Sequence, residues 1–264
     1  MRDTLDTSTA WLKTACQMRA VILAGGVGSR LRPYTLVLPK PLVPVGDRPI
    51  LQLILAQLAR DGCRRVDLCV GHLGSLIQTY FSDPHNLPDG MSLSYHWENE
   101  PLGTAGALRN LELDEPFLAM NGDILTDLDF GELMNAHRAS GAALTIATHH
   151  KTHQVSLGVV EHDEGVVSGY IEKPKMDYEV SMGVYAYSPR VLAHIPQGYF
   201  DFPALVHALL ASGEQVATFR FDGVWFDIGT PTDYDGAVAH IEEDGSTLLR
   251  GLAPTAVRPR PQLS

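Results

Sequence analysis

The sequence has few cysteines, which limits how the chain can be cross-linked or can bind a metal through sulfur. Cys16, Cys63 and Cys69 are the three cysteines in 264 residues, and no two of them form a CxxC pair. An odd number without paired spacing argues against a disulfide framework and against a zinc site. Proteins without disulfides are typical of reducing compartments, so we expect a cytoplasmic protein.

Positive charge is also scarce. The chain has 20 lysines and arginines against 31 aspartates and glutamates, which gives a net charge of −11. A nucleic-acid partner requires a basic stripe that neutralises phosphates, so we expect no such partner. A small anionic ligand is compatible with this balance, because a few well-placed cations and one metal ion can reverse the field locally.

Long apolar runs are absent as well. No segment reaches the roughly 20 apolar residues that a membrane helix needs, so we expect no membrane partner. Residues 1–17 carry charged side chains and lack the apolar core of a signal peptide, so they are interpreted as an N-terminal extension. Residues 244–264 contain several prolines and no periodic pattern, which predicts a disordered tail.

Between these ends, short apolar runs alternate with segments of helical periodicity. The alternation predicts βαβ units and an α/β fold with a mostly parallel sheet flanked by helices. The predicted strands cover residues 20–24, 66–70, 93–97, 117–121, 143–148, 157–161, 166–172, 180–187 and 216–221. The predicted helices cover residues 49–60, 73–81, 103–111, 130–139, 203–211 and 232–242.

A glycine-rich segment, Gly25-Gly-Val-Gly-Ser-Arg-Leu-Arg-Pro33, follows the first predicted strand. Glycines allow backbone N–H groups to approach phosphate oxygens. The segment is not a P-loop, because no Gly-Lys-Ser/Thr follows, and it is not the dinucleotide fingerprint, because Leu31 replaces the third glycine. Arg30 and, further along, Lys40 between two prolines supply cations. The segment is therefore predicted to bind phosphates, with a simple turn as the alternative.

Two aspartates stand at positions that suit metal binding. Asp123 follows an apolar strand, and ligands bind at the carboxyl ends of strands in open α/β sheets. Asp227 precedes a Gly-Thr-Pro turn. Two carboxylates suit Mg²⁺ when phosphate oxygens and water complete its shell. The alternatives are an Asn-Gly-Asp turn for Asp123 and a helix cap for Asp227.

The glycine-rich segment together with Pro39-Lys-Pro-Leu-Val-Pro-Val45 resembles the signature of the sugar-1-phosphate nucleotidyltransferases, also called NDP-sugar pyrophosphorylases. Later segments agree with this family: Glu98-Asn-Glu-Pro-Leu-Gly-Thr-Ala-Gly106, Asn121-Gly-Asp123, Glu172-Lys-Pro174 and Trp225-Phe-Asp-Ile-Gly-Thr-Pro231. The resemblance covers residues 18–243. It implies a Rossmann-like domain with a nucleotide-binding half, residues 18–148, and a sugar-binding half, residues 149–243, that share one sheet.

The resemblance also implies roles for individual residues. The residues implied in catalysis are Arg30, Lys40, Asp123 and Lys173, and the implied ligands of a Mg²⁺ cofactor are Asp123 and Asp227. The residues implied in nucleotide binding are Leu23, Ala24, Gly25, Gly26, Gly28, Ser29, Glu98, Pro101, Gly103 and Thr104. The residues implied in sugar binding are Gly122, Gly158, Glu172, Ser181 and Gly183.

The resemblance further implies the reaction, in which an NTP and a sugar 1-phosphate give an NDP-sugar and pyrophosphate. The chain is short and lacks hexapeptide repeats, and so resembles mannose-1-phosphate guanylyltransferases. We expect GTP and a mannose- or heptose-type 1-phosphate as substrates, with dTTP or UTP and glucose 1-phosphate as the alternative. A non-catalytic sugar-nucleotide sensor subunit is a further alternative. The resemblance also implies a homo-oligomer.

Some positions depart from the family pattern or need another interpretation. Leu157 stands where an aromatic residue is common, and Ser181 stands where an asparagine is usual, so both leave the identity of the sugar open. The histidines at positions 149, 150 and 153 are interpreted as a solvated linker between the halves, with a transition-metal site as the alternative. Asp127 and Asp129 are predicted to cap the helix that starts near Phe130.

Overall fold

The computed structural model describes residues 18–244 and 248–249 of the chain. The described strands are β1 (Arg19–Ala24), β2 (Pro44–Val45), β3 (Arg48–Pro49), β4 (Arg65–Val70), β5 (Ser92–Trp97), β6 (Phe117–Asn121), β7 (Ile124–Thr126), β8 (Leu144–Gln154), β9 (Val159–Asp163), β10 (Val166–Ile171), β11 (Lys175–Tyr187), β12 (Val216–Arg220) and β13 (Trp225–Asp227). The described α-helices are α1 (Ile50–Arg60), α2 (Gly74–Phe81), α3 (Gly103–Gly106), α4 (Phe130–Ser140), α5 (Phe202–Ala211) and α6 (Pro231–Asp244).

A seven-stranded sheet with the order β12-β8-β11-β6-β1-β4-β5 forms the centre of the protein. Strands β6, β1, β4 and β5 are parallel neighbours, and β12 is parallel to β8. Strand β11 runs antiparallel to both of its neighbours, β6 and β8. The predicted mixed, mostly parallel α/β sheet is therefore confirmed, and strands from both predicted halves belong to it.

The two faces of the sheet are covered by different helices, because side chains alternate between the faces along each strand. On one face, Ile22 of β1 belongs to an apolar cluster that includes buried residues of α1, α2, α4 and α6. On the other face, Val21 belongs to a cluster with α3, α5 and the 3₁₀ helix Pro189–His194. The carboxyl ends of β1 and β6 open between these layers, where the glycine-rich segment begins.

Three of the predicted elements have another form or length in the structure. Strand β8 continues through His149, His150 and His153, so these histidines lie in a strand and not in a linker. Strand β11 begins at Lys175, five residues before the predicted start, because it pairs with β8 along residues 175–181. The predicted helix over residues 103–111 is the short α3 followed by the 3₁₀ helix Ala107–Asn110.

A surface extension, which we name the arm, consists of residues 150–179. It contains the outer parts of β8 and β11 and the hairpin of β9 and β10. No residue of the arm is buried. Apolar side chains such as Val166 and Val167 are 71% and 64% exposed, so the arm has no hydrophobic core of its own.

The N-terminal extension predicted for residues 1–17 lies outside the described residues. Of the predicted disordered tail, Leu248 is fully buried and its carbonyl accepts a hydrogen bond from the Gln57 side-chain amide at 3.3 Å. Leu249 also packs on the core. Residues 245–247 and 250–264 of the predicted tail lie outside the described residues. Among the described residues, none of the helices is both long and apolar enough to cross a membrane.

Candidate active site

A cavity of about 420 Å³ opens at the carboxyl ends of β1 and β6. Every residue that the sequence implied in nucleotide binding lines this cavity, together with Arg30, Lys40, Gly122 and Asp123. The lining residues are Leu23, Ala24, Gly25, Gly26, Gly28, Ser29, Arg30, Lys40, Pro41, Glu98, Pro101, Gly103, Thr104, Asn121, Gly122, Asp123, Tyr199, Asp201 and Gly229.

The glycine-rich segment is held in place by its own turn. Gly28 has a φ of +64°, and a Cβ atom there would lie 3.0 Å from the Thr35 methyl carbon and 3.2 Å from Lys40 Cβ. The Gly28 carbonyl accepts hydrogen bonds from the Thr35 hydroxyl at 2.8 Å and from the Leu31 N–H at 3.0 Å. Leu31 is fully buried in the core, so the residue that breaks the dinucleotide fingerprint anchors the loop that carries Arg30.

The Arg30 guanidinium points from this loop toward the turn that follows β13. A Cβ atom on Gly229 would lie 3.6 Å from Arg30 Nη2 and 3.7 Å from Asp227 Oδ1. The guanidinium and the carboxylate therefore flank the same glycine, although they are almost 200 residues apart in the sequence. The glycine-rich segment thus faces the segment Trp225–Pro231 across the mouth of the cavity.

The ribbon of β7 and β13, which was not predicted, brings the two aspartates together. Asp227 pairs with Ile124, the residue after Asp123, and the Ile228 N–H donates to the Asp123 carbonyl at 3.1 Å. Asp227 is exposed at the cavity mouth, yet partial loss of hydration raises its pKa and the charge of Asp123 raises it further. Lys40 and Arg30 oppose this effect. The carboxylates of Asp123 and Asp227 therefore lie close together, next to the same two cations.

The environment of Asp123 fits a metal ligand. Its Oδ2 accepts a hydrogen bond from the Lys40 ammonium, and these side chains are only 19% and 12% exposed. Its Oδ1 is buried and has no hydrogen-bond partner among the described residues. Carboxylate oxygens are the ligands that Mg²⁺ prefers, so the donor set of Asp123 and Asp227 suits this ion. In residues 18–244 and 248–249 no three His, Cys, Asp or Glu side chains converge on one point, so other ligands would come from substrate and water.

The opposite end of the cavity is formed by Glu98 and the Pro101–Thr104 segment. Glu98 accepts a hydrogen bond from the Leu102 N–H at 3.2 Å, and its Oε1 lies 3.1 Å from the place of a Cβ on Gly25. Burial raises the pKa of the Glu98 carboxyl, and the Leu102 hydrogen bond partly offsets this. Gly103 has a φ of +77°, and a Cβ there would lie 2.5 Å from the Phe200 carbonyl. Only glycine fits at this contact.

The model of the nucleotidyl transferase family matches residues 19–244 of the sequence. The chain belongs to the nucleotidyl transferase family. This assignment confirms the resemblance that the motifs indicated.

Individual relatives agree with this assignment. The chain is 33% identical over 227 residues to the mannose-1-phosphate guanyltransferase of Candida albicans, which covers 82% of this chain and 62% of that protein. It is 32% identical over 244 residues to a UTP–glucose-1-phosphate uridylyltransferase of Synechocystis, with 84% and 62% covered. The chain therefore spans about three-fifths of the length of these curated relatives.

A solved structure gives the same picture. HddC from Yersinia pseudotuberculosis complexed with GMP-PN superposes with a TM-score of 0.66 at 27% identity and covers 85% of this chain and 100% of that chain. The similarity confirms the nucleotidyl transferase fold.

Three of the sugar-binding and catalytic residues that the sequence implied lie on the arm and do not line the cavity. Lys173 and Glu172 have side chains that are 58% and 59% exposed, and their charged atoms are 4.0 Å apart. Glu172 also accepts a hydrogen bond from the Tyr170 hydroxyl at 2.9 Å. Gly158 packs against the same tyrosine. These three residues therefore lie together on the arm, away from the glycine-rich segment.

Neither Ser181 nor Gly183 lines the cavity. A Cβ on Gly183 would lie 2.8 Å from the side-chain nitrogen of Asn121, which lines the cavity. The Ser181 hydroxyl donates to the Tyr185 hydroxyl at 3.1 Å and accepts from the Gly183 N–H at 3.4 Å. Both hydrogen bonds lie at an irregularity in the pairing of β8 and β11. Gly183 therefore packs directly behind the lining residue Asn121, whereas Ser181 is exposed.

Five lining residues were not assigned from the sequence: Pro41, Asn121, Tyr199, Asp201 and Gly229. Pro41, Asn121 and Gly229 belong to the recognised motifs, so their neighbours in sequence already indicated them. Tyr199 and Asp201 belong to no motif. The available signal for Asp201 was its place before Phe202-Pro203, typical of an N-cap, and its side chain does accept from the Ala204 N–H at 3.0 Å.

Two minor predictions are also decided by hydrogen bonds. Asp129 caps α4, because its side chain accepts from the Glu132 N–H at 2.9 Å. The prediction for Asp127 is wrong, since its carboxylate accepts from the Val224 N–H at 2.7 Å and fixes the loop before β13. The Nδ1–H of His149 donates to the Phe221 carbonyl at 2.9 Å, and its ring packs on Trp225, whose indole N–H donates to the Met182 carbonyl.

Proposed function

We propose that this protein transfers a nucleotidyl group from a nucleoside triphosphate to a sugar 1-phosphate and releases pyrophosphate. The observation that carries the proposal is the meeting, in one cavity, of a glycine loop bearing Arg30 and Lys40 with the carboxylate of Asp123. A reaction between two phosphate-bearing substrates needs fixed cations and backbone donors to bring like charges together. The names of the relatives with sugar-phosphate substrates support this reaction.

We propose GTP as the nucleotide because of Glu98. An ionised carboxylate offers two acceptors and no donor. Guanine presents two adjacent donors on one edge, whereas uracil and thymine present a single N–H between two carbonyl oxygens. Glu98 is therefore matched to guanine and mismatched to the carbonyls of the pyrimidines. The guanyltransferase relative and the HddC complex with GMP-PN support this choice.

For the second substrate we propose a mannose- or heptose-type 1-phosphate. The relative from Candida albicans, named for mannose 1-phosphate, supports a mannose-type sugar. The alternative pair is dTTP or UTP with glucose 1-phosphate, which the relative named for UTP and glucose 1-phosphate favours.

The chemistry requires positioning more than proton transfer. The phosphate of the sugar is already anionic at neutral pH, so it attacks the α-phosphorus without a general base. Arg30 and the N–H groups of the glycine loop hold the β- and γ-phosphates, and they stabilise the charge that develops on the departing pyrophosphate. Lys40 lies between this loop and Asp123, where its ammonium balances the charge of both the phosphates and the carboxylate.

Asp123 and Asp227 are the residues that would hold a divalent metal ion, which we propose to be Mg²⁺. When bound there, Mg²⁺ supplies charge neutralisation at the α-phosphate. Lys173 is the proposed partner of the sugar phosphate. This role requires the arm to bend toward the cavity, since the ammonium of Lys173 lies outside the cavity lining.

The proposal is tested by measuring pyrophosphate release from four NTPs, each combined with mannose, heptose and glucose 1-phosphates, with and without Mg²⁺. We expect the highest kcat/KM for GTP with a mannose or heptose 1-phosphate, and a loss of activity when the metal is chelated. Glu98→Gln is expected to lower kcat/KM for GTP more than for UTP.

The other outcomes contradict parts of the proposal. A preference for UTP or dTTP with glucose 1-phosphate would establish the alternative substrate pair. Retained binding of GTP without pyrophosphate release from any pair would instead indicate a sensor subunit. The Arg190→Ala variant serves as a matched control, because Arg190 is an exposed arginine paired with Glu214 and does not line the cavity.

A further inference from the structure

The loop Gly198–Phe202 contributes two side chains to the cavity that none of the motifs contains. Tyr199 and Asp201 line the cavity, and Tyr199 is 67% exposed at its rim. Neither residue has a role in the phosphate chemistry derived above. These two side chains are therefore available to contact a part of the substrates other than the reacting phosphates.

The loop is fastened to the segment that follows Pro101. The Phe200 N–H donates to the Leu102 carbonyl at 2.8 Å, and the Phe200 carbonyl accepts from Ala105 and Gly106 at 3.0 and 2.8 Å. The Phe202 N–H donates to the Thr104 hydroxyl at 2.8 Å. These hydrogen bonds fix the position of Asp201, which lies between Phe200 and Phe202.

The other side of the loop contacts strand β11. The Phe202 ring stacks on Tyr185 with ring centroids 4.0 Å apart. Tyr185 in turn accepts a hydrogen bond from Ser181. The loop therefore bridges the base-binding side of the cavity, at Glu98 and Leu102, and the side formed by β11 and its neighbour β6. A ligand group that lies between the bound base and the phosphate of the sugar substrate would therefore contact the loop Gly198–Phe202.

The charge of Asp201 narrows the choice of ligand group. The cations of the cavity, Arg30 and Lys40, belong to the loop and the Asp123 side. A carboxylate repels phosphates, so Asp201 suits an uncharged donor such as a hydroxyl group. Glu98 already offers its acceptors on the base side of the cavity. The remaining hydroxyl donors of the two substrates belong to the sugar ring and to the ribose of the nucleotide. Of these we assign the sugar ring, and the GTP affinity of an Asp201 variant distinguishes the two.

The carboxylate of Asp201 also has a free acceptor. Its Oδ1 accepts from the Ala204 N–H at 3.0 Å as the N-cap of α5. Within the described part of the chain, its Oδ2 accepts no hydrogen bond, and the side chain forms no ion pair. One oxygen is therefore held by the helix and orients the other one, which gives a preorganised acceptor.

We propose that Asp201 is a specificity-determining residue that accepts a hydrogen bond from a hydroxyl group of the sugar ring. The inference rests on the proposed function, because it assigns one contact to the sugar 1-phosphate. It predicts that Asp201 contributes to the binding of the sugar substrate and not to the binding of GTP.

The test uses Asp201→Asn, because asparagine caps helices as well as aspartate and has nearly the same size. Its amide nitrogen replaces the free acceptor by a donor. We expect KM for the best sugar 1-phosphate to rise on the order of 10- to 100-fold, as for a lost hydrogen bond to a charged acceptor. The dissociation constant for GTP, measured by calorimetry, and the melting temperature are expected to remain unchanged. Asp129→Asn, at the N-cap of α4 away from the cavity, is the matched control and leaves both substrates unaffected.

A series of monodeoxy sugar 1-phosphates identifies the hydroxyl group. Removing the hydroxyl that contacts Asp201 should raise KM for the wild type, whereas Asp201→Asn should no longer distinguish this analogue from the parent sugar. A structural role alone would not produce this non-additive pattern. The inference is overturned if Asp201→Asn leaves KM for every sugar 1-phosphate within twofold, or if it weakens GTP instead. A wild-type protein that releases no pyrophosphate with any substrate pair would contradict the proposed function, and this contact with it.

Discussion

The glycine loop and the arm both carry lysines that the motifs implied in phosphate chemistry, but their surroundings differ. Lys40 has a side chain that is 12% exposed, hydrogen-bonds to Asp123 and follows a loop anchored by the buried Leu31. Lys173 has a side chain that is 58% exposed on an arm without buried residues. The same chemical group is therefore fixed in one region and solvated in the other. Preorganised charges stabilise a transition state most, so the loop should matter more for catalysis than the arm.

The largest expected effect is that of removing the fixed guanidinium of the loop. Arg30→Ala is expected to lower kcat/KM on the order of 10²- to 10³-fold, or about 3–4 kcal/mol, as for the loss of one transition-state donor. The measurement is pyrophosphate release at saturating and limiting GTP, with Arg190→Ala as control. Turnover equal to that of the wild type would show that the loop does not handle the departing phosphates.

Apolar side chains of the loop should also contribute more to the free energy of unfolding than apolar side chains of the arm. Leu31 is fully buried, so Leu31→Ala is expected to lower the free energy of unfolding by about 3 kcal/mol through lost burial and a cavity. Val167 is 64% exposed on the arm, and Val167→Ala is expected to change it by less than about 0.5 kcal/mol. Urea denaturation of both variants checks the comparison. Similar losses in the two variants would mean that the arm is buried in solution.

A smaller effect on activity is expected for the lysine of the arm. Interactions of exposed ion pairs contribute about 1 kcal/mol or less, so Lys173→Ala should lower kcat/KM for the sugar 1-phosphate by less than about 10-fold. Lys175→Ala, two residues along the same arm, is the control. A loss as large as that of Arg30→Ala would break the comparison, because the ammonium of the exposed arm would then contribute as much as the fixed guanidinium of the loop.

The smallest expected effect concerns the pH dependence of nucleotide binding. Burial raises the pKa of Glu98, and only its ionised form accepts two hydrogen bonds from guanine. GTP affinity should be complete above this raised pKa and should fall as the pH falls through it. The difference between wild type and Glu98→Gln should therefore shrink on the order of 2- to 10-fold toward acid, given that one pKa unit corresponds to about tenfold. Calorimetric titrations across a pH series measure this ratio, and Glu172→Gln on the arm should retain the wild-type profile.

The parallel part of the fold was predictable because its signals are local. Strands such as β1 and β4 are short apolar runs, and the helices between them carry their own periodicity. The outer part of β8 contains His149, His150 and His153 and lacks the alternation of a half-buried strand. Its extended form depends on pairing with residues 175–181 of β11, which is a tertiary interaction.

The candidate site was predictable where motifs are continuous in sequence. The residues that were assigned within the segments 23–40 and 98–104 all line the same cavity. Asp201 was not predicted, because it reaches the cavity through hydrogen bonds between Phe200 and the segment after Leu102, almost 100 residues away. The positions of Glu172 and Lys173 depend on the bend of the arm, which no local pattern determines.

The hydrogen bonds that join Phe200 and Phe202 to the Leu102–Gly106 segment have an evolutionary consequence. Because these two segments move as one piece, a substitution that shifts one of them also displaces the other. Mutations that retune the choice of base should therefore show epistasis with mutations at Asp201 that retune the choice of sugar. Gly103 is the most constrained point of this connection, since any side chain there would collide with the Phe200 carbonyl and separate the two segments. New substrate pairs should thus arise through correlated changes on both sides of this contact, more readily than through independent single steps.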